Sequence, residues 1–135
     1  MPLDFAFQLA SFGLLVLIWL VQVIIYPSFR HIDPVTFPRW HEVYTGKITV
    51  FVVPLMFSQL GIAGWRAFAE GRPLDWVILV LVIGCWVSTF GWSVPCHDRL
   101  HRHGKDIAVI ERLIRTNWPR TLLWTAVAVL ALTLS

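Results

Sequence analysis

Residues 5–29 read FAFQLASFGLLVLIWLVQVIIYPSF, 25 positions without one Asp, Glu, Lys or Arg. About 20 helical residues cross the ~30 Å hydrocarbon layer of a bilayer, so this stretch can span it with its backbone bonded internally. Two further uncharged runs follow, Ile48–Trp65 with 18 residues and Trp76–Cys96 with 21. A fourth, Thr121–Ser135, holds only 15 and reaches about 22 Å as a helix. The last span therefore has to begin near Asn117 and carry Pro119 and Arg120 in its first turns. Nothing has the alternating ten-residue pattern of a barrel strand. The expected fold is an all-α integral membrane four-helix bundle, up-down-up-down, forming a single transmembrane domain over 1–135 with spans of about 5–29, 46–66, 75–96 and 117–135.

Composition agrees. Of 135 residues 57% are hydrophobic, the mean hydropathy is +0.69, and 11 Lys and Arg with 8 Asp and Glu cluster between the apolar runs. That pattern excludes a disordered chain, a disulfide-stapled module, a coiled coil and a nucleic-acid-binding domain. The first run lacks a basic segment before it and a small-residue cleavage site after it, so it reads as a retained helix. Nine of the basic residues (Arg30, Arg39, Lys47, Arg99, Arg102, Lys105, Arg112, Arg115 and Arg120) flank the first and third loops, and only Arg66 and Arg72 flank the second. The positive-inside rule then puts the first and third loops in the cytoplasm and both termini outside, as in a bacterial inner membrane protein.

The loops carry local signals. Glu70-Gly71-Arg72-Pro73 reads as a tight outer turn, Asp33-Pro34 as a short capped turn, and Pro38 as a first-turn residue of the second helix. Gly104 ends a helical extension, and Asp106 caps a segment whose Ile107, Val109, Ile110, Leu113 and Ile114 form an apolar stripe. That segment is expected to lie along the cytoplasmic interface as an amphipathic helix and to bend into the last span at Pro119.

All five histidines (31, 41, 97, 101 and 103) sit on the inner side. In an up-down bundle the inner helix ends converge, which brings Gln22 and Tyr26 of helix 1, His41 and Tyr44 of helix 2, Trp92 of helix 3, and Asn117, Arg120 and Trp124 of helix 4 to one face. An intramembrane cation normally faces the bundle interior, which singles out Arg120, although a turn or two from the interface it reads equally as a headgroup anchor. The expected site is a wet polar pocket at the cytoplasmic mouth, lined by His41, Tyr26, Gln22, Asn117 and Arg120. His97 and His101 have the i, i+4 spacing of two metal ligands, but no acidic third ligand stands at a recognised spacing, and they read first as solvated residues. Cys85 and Cys96 lie eleven residues apart on one helix, too far to bond.

The run Val94-Pro95-Cys96-His97-Asp98-Arg99-Leu100, followed by Glu111-Arg112-Leu113-Ile114-Arg115-Thr116-Asn117-Trp118-Pro119-Arg120-Thr121, resembles the third-helix end and fourth-helix start of the anthrone-oxygenase-like family of small four-helix membrane proteins. Tyr26-Pro27 and His41 match as positions, whereas Asn117 stands where the family motif carries histidine. The resemblance implies an oxidoreductase acting on a flat apolar molecule that enters from the lipid. His41 would be the base and Arg120 the oxyanion partner, with Gln22, Tyr26, Tyr44, Trp92, Asn117 and Trp124 holding the ligand. No cofactor is required by this reading. Two alternatives stay open: an accessory or ligand-binding subunit of a larger membrane complex or homo-oligomer, and a bundle holding metal or non-covalent haem through His41 and His97. The expected partners are the lipid bilayer and an apolar small molecule or lipid, with no nucleic acid.

Overall fold

A computed structural model describes residues 2–134 and contains no strand among them. The described residues form four helices: α1 (Pro2–His31), α2 (Phe37–Ala69), α3 (Pro73–His103) and α4 (Ile107–Ala131). The first three are long and apolar enough to cross a membrane. α4 is shorter, at 25 residues, and carries Arg112, Arg115 and Arg120.

The helix ends follow from local chemistry. Asp33 accepts hydrogen bonds from the backbone of Val35 and Thr36 and so turns the chain into α2. Gly104 and Gly71 take the positive φ values, +76° and +69°, that close α3 and the α2–α3 turn. Asp106 caps α4 through the amides of Ala108 and Val109. Lys105 donates to the carbonyls of Arg30 and Ile32, and Arg30 bonds Glu111 through two nitrogens at 2.5 and 2.8 Å. That pairing holds the Glu111 carboxyl below its ordinary range. The loops after α1 and α3 are thereby tied together.

The last helix begins well before Arg120, as its length required. The predicted interfacial segment and the last span form one helix from Ile107 to Ala131, with Pro119 inside it. A single buried stripe explains this: Ile110, Leu113, Asn117, Thr121, Trp124 and Ala128 recur at three- and four-residue intervals straight through the proline. Losing one backbone bond does not outweigh that packing.

α1 and α3 each contain one wide π-helical turn, Val21–Ile25 and Thr89–Ser93, and each runs into a proline, Pro27 and Pro95. Proline supplies no amide to the ladder, and just ahead of it the register slips: the Tyr26 amide reaches back to Val21 and the Val94 amide to Thr89. One extra residue in a turn rotates the rest of the helix by about 100°.

The interior has two apolar clusters. Leu14, Ile18, Phe29, Phe37, Leu100, Ile110 and Leu113 belong to the one near the loops after α1 and α3, and Phe7, Ala63, Ile78, Val82 and Val127 to the one near the α2–α3 turn. The outside is equally apolar, with Phe12, Phe51, Phe57, Val80, Phe90 and Leu122 all exposed, a distribution suited to hydrocarbon. α2 is the most peripheral of the first three helices, with 17% of its apolar window buried.

Candidate functional site

A cavity of about 450 Å³ lies between α2 and α3, with α1 and α4 behind it. Most of its wall is hydrocarbon and aromatic, including Leu17, Val21, Val52, Met56, Phe57, Trp86 and Trp124. Its volume is in the range of small-molecule sites. Three polar groups from three helices meet at one part of the wall: Tyr26, His97 and Arg120.

Arg120 is buried at 7% exposure. Its Nη2 donates to the Tyr26 hydroxyl at 3.3 Å and its Nη1 to Thr89 Oγ1 at 3.2 Å, while the guanidinium carbon lies 5.3 Å from the Trp124 ring centre. Among the described residues no carboxylate pairs with it. The Tyr26 hydroxyl lies 3.0 Å from His97 Nε2, and His97 Nδ1 lies 2.9 Å from Nε2 of the fully buried His41.

These contacts form one relay, and with both imidazoles neutral one arrangement of its protons runs from Tyr26 to His41. In it the Tyr26 oxygen accepts from Arg120, which only donates, and gives its own proton to His97 Nε2. His97 then carries its proton on Nδ1 and donates to His41 Nε2. His41 is left protonated at Nδ1, a buried atom without a partner among the described residues. Phe37 stacks on His41 at 5.4 Å between ring centres, and Phe29 meets it edge-on at 5.7 Å, which holds the imidazole in place. The exposed His101 ring stands 4.8 Å from His41, and its Nε2 lies 3.3 Å from Thr45 Oγ1.

The sequence-predicted residues divide into four groups. Tyr26, Tyr44, Arg120 and Trp124 line the cavity, and His97 and His101, read first as solvated, line it with them. His41 sits directly behind His97 and does not reach the cavity wall. Gln22 and Asn117 are elsewhere: with Thr121 they form a closed buried cluster, in which Gln22 Oε1 accepts from Asn117 at 2.8 Å and from Thr121 at 2.9 Å, and Gln22 Nε2 bonds the Ile114 carbonyl. The wide turn of α1 separates Gln22 from Tyr26, which plain helical spacing puts on one stripe. Trp92 is 41% exposed and does not line the cavity, although Thr89, Phe90 and Ser93 of the same wide turn do.

Sequence reasoning missed Trp86, Met56 and Thr45 on the wall, and it missed a second buried polar row in which Trp124 donates to Gln59 and Gln59 to Ser11. Its reading of the α2–α3 turn as a simple connection also misses an ion-pair network. Arg66, with a side chain 3% exposed, bonds Asp4, Asp75 and Glu70, and Arg72 bonds Asp75 and Glu70. The only local signals were Arg66–Glu70 at i, i+4 and Arg72–Asp75 at i, i+3.

No group of three or more His, Cys, Asp or Glu side chains among the described residues is arranged to hold a metal ion. In comparisons with known proteins, the chain matches no family model, no curated protein and no solved structure.

Proposed function

We propose that the chain is a four-helix integral membrane protein of up-down-up-down topology, with the basic loops after α1 and α3 in the cytoplasm, and that its cavity binds a flat apolar molecule arriving from the lipid. The nine-to-two distribution of basic residues supports the orientation. In this reading α4 is the fourth span, and the stretch of it before Asn117 lies along the cytoplasmic interface. The observation that carries the binding reading is Arg120: a buried cation with no carboxylate beside it among the described residues, on the wall of an apolar cavity, bonded to Tyr26 next to His97.

The chemistry such a site favours is proton removal beside a carbonyl, as the resemblance to the anthrone-oxygenase-like family implies. A ring methylene gives its proton to the Tyr26 oxygen as the Tyr26 proton passes to His97 Nε2 and the His97 proton to His41 Nε2. Arg120 holds the enolate oxygen. The carbanion adds dioxygen, and the resulting peroxide loses water, so that one CH₂ and one O₂ give one C=O and one H₂O. His97 and Tyr26 stand at the substrate in this scheme. His41, assigned the base on sequence grounds, receives the charge from behind. No resident cofactor takes part.

Detergent-purified protein incubated with anthrone in air should form the quinone with matching oxygen uptake, and Tyr26→Phe and His97→Gln should each slow it by about 10² or more. A rate equal to that of protein-free micelles sinks the enzyme reading. An absorption spectrum and metal analysis of the same sample decide the haem or metal alternative.

A further inference from the structure

The two buried arginines are treated in opposite ways. Arg66, at the α2–α3 turn, is surrounded by Asp4, Asp75 and Glu70. Arg120, at the cavity, has two hydroxyls and an indole face, and no acid among the described residues. Removing a cation from water is costly unless an anion or a full set of acceptors replaces the hydration shell, so Arg120 lacks half of the arrangement that Arg66 has.

Two donors, unpartnered among the described residues, belong to side chains that line the cavity. Arg120 Nε is buried without a partner among the described residues, and so is the indole N–H of Trp86 on the cavity wall. Both are donors, and what donors lack is an acceptor. The guanidinium edge made by Nε and its neighbouring Nη presents the parallel pair of N–H groups that matches the two oxygens of a carboxylate. The one acid on the cavity wall, Asp98, is half-exposed and turned to Arg102 at 3.1 Å, so it does not neutralise Arg120. Away from these polar groups the wall includes the apolar side chains of Val52, Met56 and Phe57.

We propose that the cavity's ligand is a monoanionic amphiphile of the carboxylate class, with its carboxylate on Arg120 and its apolar body along Val52, Met56 and Phe57. This rests on the reading that the cavity takes an apolar molecule, and gives Arg120 a carboxylate as its anion in place of the enolate oxygen. One uncompensated cation selects one negative charge, which favours a carboxylate over a doubly charged phosphate monoester. A carboxylic acid also enters lipid in its neutral form and can lose its proton beside the arginine.

The test compares binding of 9-anthracenecarboxylate and of its methyl ester to the full-length protein in neutral detergent micelles at pH 7, measured by equilibrium dialysis against protein-free micelles. The wild type should hold the acid at least about tenfold more tightly than the ester. Arg120→Gln should bring the acid down to the level of the ester, and Arg120→Lys should keep only part of the difference. Equal binding of acid and ester by the wild type overturns the proposed charge while leaving the apolar cavity reading intact. Binding of neither overturns both. The wild-type comparison decides without the variants, so a folding defect in Arg120→Gln does not blur the outcome.

Discussion

Replacing Arg66 by methionine should be among the most destabilising single changes in this protein. The arginine side chain is 3% exposed and bonds three carboxylates, of which Asp75 is fully buried and Asp4 is 12% exposed. Methionine keeps much of the length and volume of the stem, so little of the loss comes from packing. In the variant Glu70 and Asp75 keep Arg72, which is itself 46% exposed, while the buried Asp4 loses its bond to Arg66. Glu70, with its side chain 32% exposed, can turn to water and contributes no more than about 1 kcal/mol. Asp4 and Asp75 cannot. Breaking a buried pair by removing one partner costs about 3–5 kcal/mol, and that is the loss expected here at neutral pH. Equilibrium denaturation in mixed micelles measures it, and a matched background separates charge from shape. In a chain already carrying Asp4→Asn and Asp75→Asn, the same Arg66→Met change should cost about 1 kcal/mol or less, because the buried side chains it leaves behind carry no charge. A wild-type-background loss below about 1 kcal/mol, or equal losses in the two backgrounds, would refute the view of this network as a desolvated unit.

Cysteine accessibility tests the orientation. In whole cells an Ala69→Cys variant should react with a membrane-impermeant maleimide added from outside, over a low background because Cys85 and Cys96 are both buried, and labelling from the cytoplasmic side alone would invert the topology. Glycine substitutions test the packing of α3 on α4. A Cβ on Gly84 would stand 3.2 Å from Leu123 Cδ1, so Gly84→Leu should cost about 1–3 kcal/mol, whereas Gly61→Leu, with nothing within 4 Å, should fall within about 0.5 kcal/mol of wild type.

Several features were legible in the chain because they are local. An uncharged run of sufficient length says helix and lipid in one statement, since hydrocarbon offers no partner for a bare backbone. Asp33, Gly71, Gly104 and Asp106 mark turns and caps through interactions that extend three or four residues. Arg120 stood out because a cation in an apolar run is costly wherever it points.

The partition of the polar residues was not legible. Helical spacing puts Gln22 and Tyr26 on one stripe, yet Gln22 joins Asn117 and Thr121 while Tyr26 joins His97 and Arg120, because a proline two residues after the wide turn shifts the α1 register. His41 and His97 are 56 positions apart and Asp4 and Arg66 are 62, distances over which no spacing rule operates. Each such pair forms only after the helices have packed. Length, hydropathy and charge asymmetry thus settle that this chain forms apolar helices, since those properties act through the solvent one segment at a time. Which buried donors find acceptors, and that Arg120 is left facing an apolar cavity without an acid among the described residues, comes from the packing of four helices together, because a hydrogen bond depends on positions to within a few tenths of an ångström.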